Sequence, residues 1–140
     1  MRKVRLTRRH KGTKIDENEI GATIVDSAIN LHRELGPGLL ETVYQVVLAR
    51  ELEKCGLKVE REVAVAINYK GIKFDQGFRC DLIVEEKVII ELKSVEIVTP
   101  AYKKQLLTYL RLTDLKLGYL LNFGEALMKD GVSRIINGQL

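Results

Sequence analysis

Residues Gly77–Val95 read GFRCDLIVEEKVIIELKSV. Two apolar runs, Phe78–Val84 and Val88–Val95, flank the charged triplet Glu85-Glu86-Lys87, a pattern that predicts two strands folded back on one another. With the turn centred on Glu86, Asp81 falls opposite Glu91. Directly opposed side chains project from one face with Cβ atoms roughly 4.5–5.5 Å apart. Lys93 lies two residues beyond Glu91 and shares its face, as does Arg79. The other face would then carry Phe78, Cys80, Leu82, Val84, Val88, Ile90 and Leu92, a core surface. A two-residue turn would send Asp81 and Glu91 to opposite faces, so the constellation depends on the turn.

Two carboxylates so placed repel each other and are costly to bury alone. A divalent cation between them removes that cost, and hard oxygen donors suit Mg²⁺ or Mn²⁺. A lysine on the same face can hold an attacking water or stabilise charge building on a phosphate. The plain alternative is an ion pair of Lys93 with Glu91 or Asp81 at a sheet edge.

Upstream, Asp16 or Asn18 caps a predicted helix whose first turn holds Glu17 and Glu19. Ile20, Ile24, Ala28, Leu31 and Leu35 recur at helical spacing up to Gly36-Pro37-Gly38. A second helix is predicted from about Leu39 to Cys55, with Leu40, Val43, Tyr44, Val47, Leu48 and Leu52 apolar. Beyond Gly56 the period changes to two through Val59, Val63, Val65 and Ile67. Asn68-Tyr69-Lys70-Gly71 is a turn, Ile72–Asp75 folds back as a hairpin arm, and Gln76-Gly77 reads as a bulge or bend. Downstream, Thr99-Pro100 starts a helix to about Leu112, with Tyr102, Leu106, Tyr109 and Leu110 on its apolar side. Leu115–Phe123 is apolar on both faces, which suits an interior, parallel strand, and Val132–Ile136 is a weaker last strand. The order α-α-β-β-β-α-β-β predicts an α/β (α+β) mixed sheet flanked by helices.

The length of 140 residues predicts a single domain over 16–140 behind a basic, flexible tail over 1–15. Seven of the 23 Lys and Arg residues and none of the 19 acids fall in residues 1–14, leaving 16 basic residues against 19 acids elsewhere. The basic character therefore belongs to the tail, which could bind nucleic acid or simply be solvated. No apolar run approaches the ~18 residues of a membrane span, and no apolar stretch of a signal peptide follows the basic start. Cys55 and Cys80 read as reduced core thiols of a cytoplasmic protein. No CxxC, GK[ST] phosphate loop or Ser-His-Asp elbow accompanies them, which argues against zinc, nucleoside-triphosphate and serine-hydrolase chemistry.

Asp81, nine residues, then Glu91-Leu92-Lys93 resembles the core motif of the PD-(D/E)XK nucleases, with Cys80 in place of the proline. Gln105-Leu-Leu-Thr-Tyr109 is similar to the QxxxY element of some members. Gly38-Leu-Leu-Glu41-Thr-Val-Tyr44 resembles the signature of the GxxExxY proteins, and the likeness runs from about Ile20 to Phe123. The resemblance implies a restriction-endonuclease-like α-β-β-β-α-β core with an extra N-terminal helix. It also implies metal binding by Asp81 and Glu91 with Glu41 assisting, Lys93 as the catalytic lysine, and Gln105 orienting Lys93, water or backbone. For Glu41 a plain helix-dipole role at the first turn stands beside that reading.

Two functions follow as expectations. The first is a Mg²⁺- or Mn²⁺-dependent phosphodiester hydrolase acting on DNA, with Arg79, Tyr109, Lys103 and Lys104 touching substrate. The second is a non-catalytic nucleic-acid- or protein-binding module that keeps the nuclease fold, favoured by the acidic body. A homodimer would join two weak basic surfaces.

Overall fold

The computed structural model describes residues 15–140; the basic segment 1–14 lies outside the described residues. Helix α1 spans Glu17–Leu35 and is capped by Asp16, whose side chain accepts the Glu19 N–H at 2.8 Å. Its apolar stripe Ile20, Ile24, Ala28 and Leu31 is buried. Helix α2 spans Glu41–Lys54, starting two residues after the position expected from sequence, because Leu40 stays extended as its N-cap. Strands β1 (Val59–Tyr69), β2 (Ile72–Val84) and β3 (Val88–Lys93) follow, then helix α3 (Pro100–Thr113) and strands β4 (Leu117–Asn122) and β5 (Val132–Ile136).

The five strands lie in sequence order in one sheet. Antiparallel pairing joins β1 to β2, β2 to β3 and β4 to β5, while β3 and β4 are parallel. That parallel step needs a crossover connection, and α3 supplies it. Strand β4 is buried at every position, as its unbroken apolar run requires. The mixed sheet with helices on both faces is the predicted α+β architecture, consistent with a restriction-endonuclease-like fold.

The sheet has a separate core on each face. Helices α1 and α2 pack on Leu82, Val84, Val88, Ile90, Leu92, Leu117, Tyr119 and Leu121. Helix α3 packs through Leu106 and Leu110 on Val65, Cys80, Ile83, Ile89 and Leu120, with Phe78 and Tyr109 alongside. Strand alternation predicts Phe78 and Cys80 on the same face as Leu82 and Val84; the structure puts them on the α3 side. The cause is local. Glu62 on β1 has φ +52°, and the β1–β2 register places it opposite Asp81. A left-handed residue there breaks the alternation of both strands at one level. A second expectation also fails: Cys80 is buried, but Cys55 is exposed as the C-cap of α2 and is no core thiol.

The expected irregularity at Gln76-Gly77 is present. Val65 pairs with Phe78 and Ile67 with Phe74, so three residues of β2 stand against one of β1. Gly77 is needed there, because a Cβ would run into the Ile67 side chain.

The α1–α2 joint is held by one side chain. Gly38, at φ +90°, turns the chain, and Tyr44, on the first turns of α2, reaches back under it. The Tyr44 hydroxyl donates to Gly36 O at 2.6 Å and accepts the Leu39 N–H at 3.0 Å. Its ring stacks on Phe123 with centroids 4.2 Å apart. Tyr44→Phe keeps the stack but strands two backbone groups, so it should cost about 1–3 kcal/mol. Urea unfolding should show a lower midpoint at unchanged slope; an unchanged midpoint would remove the joint's dependence on this hydroxyl.

Candidate active site

The β2–β3 turn is built to fix one register. Glu85 and Glu86 both adopt positive φ, at +54° and +56°, and Lys87 N–H returns to Val84 O at 3.0 Å. Lys58 anchors the turn from the side. Its N–H donates to Glu85 Oε2 at 2.5 Å, its carbonyl accepts the Glu85 N–H at 2.8 Å, and its ammonium meets Glu86 Oε1 at 2.6 Å. The resulting pairs are Val84 with Val88, Ile83 with Ile89 and Leu82 with Ile90. The turn is centred on Glu86, as expected, and the next level brings Asp81 to Glu91.

At that level the backbone ladder stops and the carboxylates take over. Asp81 N–H donates to Glu91 Oε2 at 2.8 Å, and Leu92 N–H donates to Asp81 Oδ2 at 2.8 Å. Each carboxylate thus accepts from the other strand's backbone. Their second oxygens, Asp81 Oδ1 and Glu91 Oε1, accept no further protein hydrogen bond among the described residues.

Burial dominates the electrostatics. Glu91 is only 7 % exposed. Burial first, then the neighbouring Asp81, push its carboxyl up to about 8, against the opposing pull of the Asp81 N–H and Lys93. Burial also raises the Asp81 carboxyl, with Glu62 and Glu41 adding to the rise and Leu92 N–H and Lys93 opposing it. Cys80 beneath them is pushed far up, by burial and then by Glu91 and Asp81, which makes it an inert thiol.

Glu41 reaches the same region from the first turn of α2, where it accepts the Ser94 N–H at 3.3 Å. Lys93 forms no ion pair within 4 Å among the described residues; its ammonium sits 4.4 Å from the centre of the Tyr102 ring. The simple Lys93 ion pair weighed from sequence is therefore not what the fold builds. Tyr109 stacks on Phe78 with centroids 4.2 Å apart, and burial and Glu91 raise its hydroxyl. Gln105 is exposed on α3, on the face it shares with Tyr102 and Tyr109. Lys103 and Lys104 are exposed on α3, and Lys103 borders a cavity with Glu96, Glu125 and Asp130 rather than the carboxylate pair. Arg79 lies 3.7 Å from Glu62.

Three neighbours escaped sequence reading. Glu62 faces Asp81 across β1–β2, and Gln45 Nε2 holds its Oε2 at 3.0 Å. Gln45 is buried and also accepts from Arg61, so α2 braces the bend in β1. Asn122, at the end of β4, accepts the Val95 and Gly124 N–H groups and donates to Val95 O, each near 3.0 Å. It fixes the chain just beyond Lys93. The i, i+4 spacing of Glu41 and Gln45 was a legible signal; the other two depend on strand register.

A family model described as the PD-(D/E)XK nuclease superfamily matches residues 18–135. The chain belongs to the PD-(D/E)XK nuclease superfamily. No curated protein and no solved structure matched it. PD-(D/E)XK nucleases typically use divalent cations and act on nucleic acid. Among the described residues no three His, Cys, Asp or Glu side chains form a ready ligand cluster. The donor set is the Asp81–Glu91 pair, and it fits a hard cation that binds through one or two carboxylates and keeps water on its other sides. Among the same residues no helix is long and apolar enough to cross a membrane.

The raised Glu91 carboxyl has a signed consequence for stability. An acid whose folded value exceeds its unfolded value favours folding while protonated. That contribution is intact below its ordinary value of 4.5 and lost as pH rises toward about 8. Asp81 acts in the same direction. In EDTA, the denaturation midpoint should fall between pH 4.5 and about pH 8, at up to ~1.4 kcal/mol per unit of pKa difference. Glu91→Gln, which can still accept from Asp81 N–H, should flatten the fall and be more stable than the parent at the upper end. A parental midpoint independent of pH would contradict the buried-pair description.

Proposed function

We propose that this chain is a Mg²⁺-dependent nuclease of the GxxExxY type that hydrolyses DNA phosphodiesters. The observation that carries the reading is the pairing of a buried and a half-buried carboxylate that repel each other, beside a lysine that forms no ion pair within 4 Å among the described residues. Asp81 and Glu91, with Glu41 alongside, would hold Mg²⁺ or Mn²⁺. The bound cation would supply Lewis-acid polarisation of a phosphoryl oxygen.

The remaining steps belong to the chain's own side chains. Lys93 donates hydrogen bonds to the attacking water or to a non-bridging phosphate oxygen, where negative charge grows in the transition state. Tyr102 holds its ammonium by a cation–π contact, a partner that does not neutralise it. Gln105 and Tyr109, on the same face of α3, orient the phosphate backbone. Hydrolysis forms one P–O bond to the water oxygen and breaks one ester P–O bond, and the leaving oxygen takes up a proton.

The acidic body favours one other reading, a module that binds nucleic acid without cutting it. Cleavage assays separate the two. Purified protein should nick or degrade DNA with Mg²⁺ and not in EDTA, and Lys93→Ala should lower the rate at least 100-fold while leaving the fold intact by circular dichroism. Salt-dependent DNA binding with no cleavage of single-stranded, duplex or branched DNA would replace the nuclease with the binding module.

A further inference from the structure

Among the described residues strand β2 pairs with β3 only over Leu82–Val84, and before that its strand pairing is with β1 alone. The result is a two-stranded arm that runs outward from Asp81. Its tip is a tight turn, with Lys70 and Gly71 at positive φ and Asn68 Oδ1 accepting the Gly71 N–H at 3.2 Å. Two-stranded ribbons of this kind gain little from their own backbone bonds. They are normally kept soluble by polar faces, and here only the face carrying Asn68 and Lys73 is polar.

Ile67 pairs with Phe74 and Tyr69 with Ile72, so these four side chains share one face of the arm. Tyr69 is 46 % exposed, Ile72 58 % and Phe74 54 %. The stripe continues the β1 alternation Val63, Val65, Ile67, Tyr69, whose first two members pack on the α3 side. At its foot Phe78 stacks on Tyr109, whose hydroxyl is raised partly by Glu91. The apolar and aromatic track therefore begins beside the carboxylate pair and runs about 20 Å along β1 to the tip.

Charge narrows what covers it. Residues 66–79 hold Lys70, Lys73 and Arg79 against Asp75, while residues 15–140 as a whole hold 16 basic residues and 19 acids. The arm is thus a positive element on an acidic body, and Lys70 sits 5.4 Å over the Tyr69 ring at its tip. A second copy of the arm would bring like charges together. Four apolar side chains are also far short of the ~800 Å² per partner that a stable dimer buries. A duplex offers no base faces for exposed rings. An unpaired strand offers both base faces and phosphates.

We propose that the arm is a stacking platform for single-stranded nucleic acid, with Tyr69 and Phe74 against bases, Lys70 at the tip and Lys73 from the opposite face of the ribbon on phosphates, leading the strand to the Asp81–Glu91 pair. The proposal rests on the nuclease reading for what happens at the foot of the arm, but binding to the arm is measurable without turnover.

The test uses the full chain carrying Lys93→Ala. Fluorescence anisotropy is read with labelled oligothymidylate, oligouridylate and a blunt duplex. Tyr69→Ala and Phe74→Ala should each weaken single-strand binding about tenfold and change duplex binding less than twofold. Tyr69→Phe and Phe74→Tyr should restore it. Lys70→Ala with Lys73→Ala should flatten the salt dependence. Preference for one oligomer names the source as DNA or RNA. Unchanged single-strand affinity, equal losses on duplex, or sedimentation showing a dimer that Phe74→Ala dissociates would overturn the platform. If the parent chain never cleaves yet the arm variants lose single-strand affinity, the nuclease reading falls and the platform stands.

Discussion

At Asp81 and Glu91 the sheet exchanges backbone pairing for carboxylate pairing. Each carboxylate accepts an N–H from the opposite strand, at 2.8 Å in both cases. A strand pair that continued its ladder here would need no side-chain acceptors and would have no room between its backbones. Because the carboxylates accept instead, β2 can part from β3 without leaving buried donors unpaired. Beside the parting Glu41 arrives from α2, and Lys93, Tyr102 and Tyr109 stand on β3 and α3. The same parting sends β2 out with β1 as an arm. One local substitution of acceptors therefore creates both the candidate site and the arm beside it.

The elements around this point hold it from three sides. Lys58 pins the turn that sets the register. Tyr44 closes the α1–α2 joint, which places the first turn of α2 and so the Glu41 carboxylate. Asn122 grips Val95 by its N–H and its carbonyl, so Lys93 sits on a strand fixed at both ends. In the segment Gly38–Tyr44 the glycine and the tyrosine have structural work, while the glutamate between them faces the carboxylate pair.

Much of this was legible in the sequence because the decisive feature is local. The run Val84-Glu85-Glu86-Lys87-Val88 allows a three-residue loop, and that loop length alone brings Asp81 to Glu91. The helices were legible from Asp16, Thr99-Pro100 and Gly36-Pro37-Gly38, and the parallel strand from the unbroken apolar run of β4. The change of face at Glu62 was not, since left-handed backbone is usually announced by glycine or asparagine and here is carried by a glutamate. Glu62 and Asn122 act on partners 17 to 27 residues away, so no spacing rule reveals them. Lys93 was legible as a residue of the site, but its aromatic partner depends on how α3 crosses the sheet.

The charge pattern explains why the site and the arm need each other. Asp81 and Glu91 feel Glu41, and Asp81 also feels Glu62, so four carboxylates bear on one site. The surroundings of the pair are acidic, and Lys93 opposes that acidity. A cation held by the pair would change the sign only nearby, because exposed charges beyond roughly 8 Å are screened at physiological salt. Attraction from farther out has to come from cations placed away from the pair. Lys70 and Lys73 stand at the end of the arm, where an approaching polyanion meets them before it meets the acids. On the proposed reading, separating capture from chemistry in this way would let the site stay acidic enough to hold a metal while the arm draws in a negatively charged chain.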